Sequence, residues 1–143
     1  MRATSSIDPS LRDPLASARA RGAATKSDLL ARAGGAFSAE EVATLMGMTV
    51  AAVDEQRQRG TLLGVRQARR VILYPTCQFA ADGALPGLGK VLAAFAVEGA
   101  WTRLSVLLSP APALGGATPL DALCRGDVAG AVEAVSTFGD HGA

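Results

Sequence analysis

Five arginines, Arg57, Arg59, Arg66, Arg69 and Arg70, fall within fourteen residues that contain no acidic side chain. A guanidinium is a planar, permanently charged donor fork that matches phosphate oxygens, so a cluster of this kind suits a polyanion. Its contacts would supply affinity and salt dependence rather than sequence choice. Just upstream lie Thr49, Ala51, Ala52, Glu55 and Gln56. On a helix entering the major groove, those early positions face base edges. There Gln56 suits adenine, and the small Ala51 and Ala52 allow close approach or contact with a thymine methyl. Asp54 and Glu55 work against a strongly cationic surface.

Residues that could do covalent or acid–base chemistry are sparse. The single histidine, His141, stands three residues from the end, where no scaffold would hold it as a base. No His, Cys and carboxylate grouping has zinc spacing. Gly87-Leu-Gly-Lys90 lacks the upstream glycine spacing and the Ser or Thr after Lys of a phosphate loop, and reads as a turn before a helix. Asp121 and Asp127 sit at helix beginnings, where capping accounts for both. The expectation is a protein with no catalytic residues, no metal and no cofactor. Cys77 and Cys124 form no CxxC pair and read as reduced thiols of a cytoplasmic protein. The longest apolar stretch, near Val91–Val97, stops at Glu98, so no membrane span is expected.

The elements that must position these residues follow from caps and periodicity. The chain has 143 residues and 49% apolar composition but only 4% aromatics, so its core must be mostly aliphatic. Residues 1–24, with Pro9, Pro14 and Gly22, read as a flexible arm carrying at most a short helix after Asp13-Pro14. Thr25 and Asp28 have capping-box spacing before a helix that Gly34-Gly35 ends. Ser38 and Glu41 form a clearer box, with Val42, Leu45 and Met46 on one face and Gly47 as the stop. Thr49 caps a second helix, Val50–Arg59, closed by Gly60. Leu62–Val65 and Val71–Tyr74 then read as the strands of a hairpin whose loop, Arg66–Arg70, is basic. Helix, turn, helix and hairpin together predict a winged helix-turn-helix over residues 25–83.

The rest of the chain, residues 84–143, predicts a helical domain. Pro75–Phe79 makes a short helical turn, and Leu88, Val91, Leu92 and Phe95 mark an amphipathic helix ending near Gly99. Trp101, Leu104 and Leu108 repeat the pattern, Thr118-Pro119 starts Leu120–Arg125, and Asp127 caps a last helix with Val128, Ala131, Val132, Val135 and Phe138 along one stripe. This apolar surplus fits either a closed core or a two-fold interface of a homodimer. Charge divides the same way: residues 1–36 hold six basic and three acidic side chains, and residues 80–143 three and six. A basic front and an acidic rear suggest two partners.

Leu114-Gly-Gly-Ala-Thr-Pro-Leu-Asp-Ala-Leu123, followed by Gly126 and a small final helix, resembles the toxin-binding domain of Xre/MbcA/ParS-type antitoxins. Tyr74-Pro75, Gln78-Phe79, Asp82-Gly83, Pro86-Gly87-Leu88 and Trp101 are similar to the lead-in of such proteins. The resemblance covers about residues 37–143. It implies a type II antitoxin that neutralises a RES-type, NAD-consuming or ADP-ribosylating toxin and represses its own operon by binding operator DNA as a homodimer. By position it places toxin binding on Leu114, Gly115, Gly116, Pro119, Phe138, Asp140, His141, Gly142 and Ala143. DNA binding falls, from the residues themselves, on Thr49, Ala52, Gln56, Arg57, Arg59, Arg66, Arg69 and Arg70. Two departures stand out. The DNA-binding half looks more like a MerR- or excisionase-type winged helix than a five-helix Xre domain, and Ala117 stands where the family often has a polar or basic residue. The expected fold is thus mainly α, an N-terminal winged helix-turn-helix with a small β-hairpin before a C-terminal helical toxin-binding domain. The alternative is a stand-alone winged-helix transcriptional regulator whose helical half only dimerises or senses a ligand.

Overall fold

A computed structural model of the chain describes the backbone of residues 14–138 and the side chains of residues 21–138. These residues are mainly helical, with seven helices and a small antiparallel sheet. Helix α1 (Pro14–Arg32) leads into β1 (Ala36–Phe37), α2 (Ala39–Met46) and α3 (Val50–Arg59). Strands β2 (Val65–Ala68) and β3 (Val71–Pro75) follow, then a 3-10 turn at Thr76–Gln78 and the short pair β4 (Phe79–Ala80) and β5 (Gly83–Ala84). Helices α4 (Leu88–Ala94), α5 (Ala100–Leu107), α6 (Pro119–Cys124) and α7 (Val128–Ser136) complete the order.

α1 corrects the reading of the front. Residues 14–24 of the expected arm are helical, and Thr25 caps nothing: its hydroxyl donates to the Arg21 carbonyl one turn back, at 2.9 Å. Alanine dominates this stretch and only Gly22 interrupts it, so the helix runs through. It ends where expected, with the Gly35 amide reaching back to the Leu30 carbonyl at 2.8 Å. Residues 1–13, with the Asp13 cap, lie outside the described residues.

β3 is the central strand of the sheet, flanked by β1 and β2. Ala36 and Phe37 pair with Pro75 and Tyr74, while Val65 and Arg66 pair with Leu73 and Ile72 before a bulge brings Ala68 opposite Val71. The hairpin therefore starts later than its apolar run suggested, and Arg66, Gln67 and Ala68 are strand residues with only Arg69 and Arg70 at the turn. Leu62 and Leu63 are buried in a loop instead. Gln78, itself 1% exposed, substitutes for a partner strand. Its amide oxygen accepts from the Leu63 amide at 2.7 Å, and its Nε2 donates to the carbonyls of Leu63 at 2.7 Å and Pro75 at 3.1 Å.

One aliphatic core runs from Leu29 and Ala33 through Val42, Val53, Val65 and Tyr74 to Leu88, Val91, Leu104, Leu107, Leu123, Ala131 and Val135. α4 stops at Ala94 rather than near Gly99, because Phe95 turns to an extended backbone and drops its ring into that core. Most of the rear apolar surplus is buried in this core or packed against it. Val128, Val132 and Trp101 pack against the core, and Phe138 alone of the expected stripe stays exposed, at 42%. No described helix is long and apolar enough to cross a membrane.

Candidate nucleic-acid interface and apolar groove

The α2–α3 corner is built from the two predicted caps. The Ser38 hydroxyl accepts from the Glu41 amide at 3.1 Å, and the Glu41 carboxylate accepts from the Ser38 amide at 2.8 Å. Gly47 ends α2 at φ 67°, a left-handed conformation that glycine adopts without steric cost, and the chain turns straight into Thr49. The Thr49 oxygen accepts from the Ala52 amide at 3.1 Å. Val42 and Val53 lock the two helices together from below. Thr49, Ala51, Ala52, Asp54, Glu55 and Gln58 surround a shallow depression on the outer side of α3.

The expected base and phosphate contacts meet three different fates. Gln56 is folded toward the helix end, where the Thr61 hydroxyl donates to its side-chain oxygen and, at 3.0 Å, to its backbone carbonyl. Its amide therefore points away from the outer depression. Arg57 donates through Nε and Nη2 to Asp54 at 3.1 and 2.7 Å, and Gln58 donates to the other Asp54 oxygen at 2.5 Å. The Arg57 and Gln58 donors hold the Asp54 carboxyl below its usual value, and Asp54 in turn raises Arg57. The Arg57 stem crosses directly over Gly64: a Cβ there would stand 2.6 Å from Arg57 Cδ and 2.7 Å from Ile72 Cγ2. Arg57 thus fastens α3 to the hairpin, next to Tyr74, whose hydroxyl is pushed up by burial. Arg59 makes a 3.4 Å surface pair with Glu55, a contact easily exchanged for a phosphate.

At the hairpin, Arg66 Nη1 donates to the Arg69 carbonyl at 2.7 Å and braces the turn. Arg69 and Arg70 stand exposed at its tip. The positive charge of this face is therefore concentrated on the hairpin, while the outer side of α3 carries balanced charge. Asp54 and Arg57 are three residues apart in one helix, a spacing that already signals this pairing in the sequence.

Trp101 is the contact that sequence reasoning did not find. Its indole Nε1 donates to the Arg66 carbonyl at 3.0 Å, tying the hairpin to α5. Lys26 Nζ stands 5.4 Å from the Trp101 ring centroid. Gly22, Ala23, Lys26, Ser27, Leu30, Gln67 and Trp101 enclose a cleft of about 420 Å³ between α1, the hairpin and α5. No signal in local spacing links positions 26, 66 and 101, beyond Trp101 being the one tryptophan.

The rear half forms an apolar groove of about 570 Å³. Val106, Ser109, Pro110, Ala111–Ala113, Pro119, Ala134, Thr137 and Phe138 line it. The Gly115-Gly116 turn folds the chain back after Ala111–Ala113, so that the Ala111 amide donates to the Ala117 carbonyl at 2.9 Å. Thr118 then caps α6 reciprocally with Asp121, at 2.9 and 3.1 Å, which lowers the Asp121 carboxyl. Of the residues implicated by the resemblance, Pro119 and Phe138 line the groove. Gly115 and Gly116 make the turn beside it, and Leu114 packs on the core. Asp140, His141, Gly142 and Ala143 lie outside the described residues. Among the described residues no three His, Cys, Asp or Glu side chains stand close enough to hold a metal ion. Burial pushes the Cys77 thiol up to about 11, and Cys124 is exposed. Comparisons with protein-family models, curated proteins and solved structures find no match for this chain.

Proposed function

We propose that the chain is a type II antitoxin with two working faces. Residues 37–75 act as a winged helix-turn-helix on operator DNA, with α3 as the reading helix and the β2–β3 hairpin as the wing. Arg69 and Arg70 grip phosphates, while Thr49, Ala51 and Ala52 lie nearest the bases; a homodimer reads paired half-sites. The rear groove docks a RES-type toxin and blocks its active site. The observation that carries this reading is one apolar groove without a charged lining residue, to which the Leu114–Leu123 string contributes Pro119 and the residues just after α7 contribute Thr137 and the exposed Phe138. An apolar patch open at the surface marks a docking site in an otherwise polar exterior.

Co-expression with the product of the adjacent gene tests it. Phe138→Asp and deletion of residues 139–143 should each abolish or weaken growth rescue while leaving DNA binding intact. Full rescue by both variants overturns the docking model. The alternative, a stand-alone regulator, draws support from the Trp101–Arg66 bond, which links the helical half directly to the wing. Operator binding without any toxin partner would select it.

A further inference from the structure

The cleft between α1, the β2–β3 hairpin and α5 holds the one tryptophan of the chain and belongs to neither the α3 face nor the rear groove. Its volume of about 420 Å³ lies within the range of sites that hold small molecules. α1 lines it from two neighbouring ridges: Gly22, Lys26 and Leu30 stand four residues apart, and Ala23 and Ser27 lie beside them. The other lining residues are Gln67 of β2 and Trp101 of α5. The indole is fixed twice over. Its Nε1 donates to the Arg66 carbonyl at 3.0 Å, and the side chain packs against the core. Gly22 keeps the cleft open. It has an ordinary helical backbone, where glycine is disfavoured. A Cβ there would meet no described atom within 4 Å outside the helix's own backbone. Neither a left-handed turn nor close packing calls for glycine at this position.

The lining selects the ligand. Lys26 is the only charged residue among those that line the cleft, so an anion is matched. A cation is refused, because the Lys26 ammonium already stands 5.4 Å from the indole centroid, where a ligand cation would sit. Among the described residues no hydrogen bond occupies the Lys26 ammonium, the Ser27 hydroxyl or the Gln67 amide. Each therefore has donors free for a carboxylate. The indole, with Ala23 and Leu30, offers apolar contact to a flat ring. We infer that this cleft is a binding site for a small aromatic carboxylate, with the ring beside Trp101 and the carboxylate on Lys26. A molecule seated there touches α1, β2 and α5 at once and fastens the three elements together.

Because the chain has a single tryptophan, its emission reports on this cleft alone. The test is titration of the full chain with benzoate, read by Trp101 emission and by thermal unfolding. Benzoate should change the emission saturably and raise Tm with concentration, as a ligand of the folded state does. Acetate has the charge without the ring, and benzyl alcohol the ring without the charge; neither should saturate over the same range. K26M keeps the side-chain stem and removes the charge, and should weaken benzoate binding about tenfold or more, whereas K26R should stay near wild type. G22L puts a better helix former into the open space. It should abolish the response while leaving the ligand-free Tm equal or higher, so loss of fold does not explain the loss. R125A removes an exposed cation that does not line the cleft and should bind benzoate as wild type does. Wild-type emission and Tm that ignore benzoate, an equal response to benzyl alcohol, or benzoate binding that survives unweakened in either K26M or G22L would overturn the assignment.

Discussion

Gln78 makes the sharpest stability prediction, because one buried side chain completes a backbone that has no strand to pair with. Gln78→Leu keeps the approximate volume and removes all three hydrogen bonds, leaving the Leu63 amide and carbonyl and the Pro75 carbonyl facing an apolar side chain. At 1% exposure, water cannot reach them without local opening. Each buried group left unpaired costs about 1–3 kcal/mol. Relief from burying the glutamine amide offsets part of this, so the net loss should be about 3–4 kcal/mol. For a chain of this size that is about 10 °C in Tm. Gln78→Glu adds a pH signature. Its carboxylate can accept from the Leu63 amide but cannot donate to either carbonyl, and burial raises its folded pKa above the unfolded value of about 4.3. A raised folded pKa means the folded state binds the extra proton. The Glu variant therefore gains stability relative to the Leu variant as pH falls through that folded value, and the gain levels off below about pH 4. Urea unfolding of both variants at each pH cancels the acid sensitivity common to them. A Leu variant as stable as wild type, or a Glu–Leu difference that ignores pH, would refute the pairing role of Gln78.

Other consequences follow from the remaining contacts. Asp54→Asn should free Arg57 and raise duplex affinity, steepening the salt dependence by about one unit of slope, as measured by anisotropy. Because the folded Asp54 and Asp121 carboxyls are lowered, their contribution to stability is present above the ordinary carboxylate pKa and is lost as pH falls through the lowered folded values. Asp54→Asn should accordingly flatten the decline of Tm between about pH 5 and 3. Thr118→Ala removes half of the α6 capping box and should cost about 1 kcal/mol, visible as a drop of a few degrees in thermal unfolding. Exposed Cys124 should react with a thiol reagent in the native protein at pH 8. Cys77, with its thiol raised to about 11, should react only after unfolding.

What was legible in the sequence is what is decided locally. Ser38 with Glu41, Thr49, Thr118 with Asp121, and Asp127 each form the cap that their spacing announces, since a side-chain oxygen three residues from an open amide needs no tertiary information. Strand limits were less accessible. Leu62–Val65 has the composition of a strand, yet Leu62 and Leu63 never join the ladder, because the amide of Gln78, fifteen residues on from Leu63, captures the backbone at Leu63 first. The two-residue strand β1 pairs with β3 nearly forty residues away, and no period survives in a segment so short. Thr25 shows the reverse failure: capping spacing was present, but alanine-rich helix on both sides left no end to cap.

The candidate interface was legible as composition and not as geometry. Five arginines read alike along the chain, yet they differ in how much charge they can offer to a partner. Arg57 spends its fork on Asp54 and its stem on Gly64; Arg66 closes the turn; Arg59 shares its charge with Glu55; Arg69 and Arg70 alone project from the tip. A face whose reading helix is charge-balanced cannot draw its affinity from that helix, so grip must come from elements on its flank. The hairpin supplies two such cations. On this account, moving charge from flank to helix changes specificity and affinity separately. Arg69→Ala with Arg70→Ala should weaken binding to every duplex equally and lower the salt slope by about two. Thr49→Ala should leave that slope alone and relax discrimination between sequences, as read by competition between operator and arbitrary duplex. Equal loss of discrimination in both variants would show that wing and helix do not divide the work in this way.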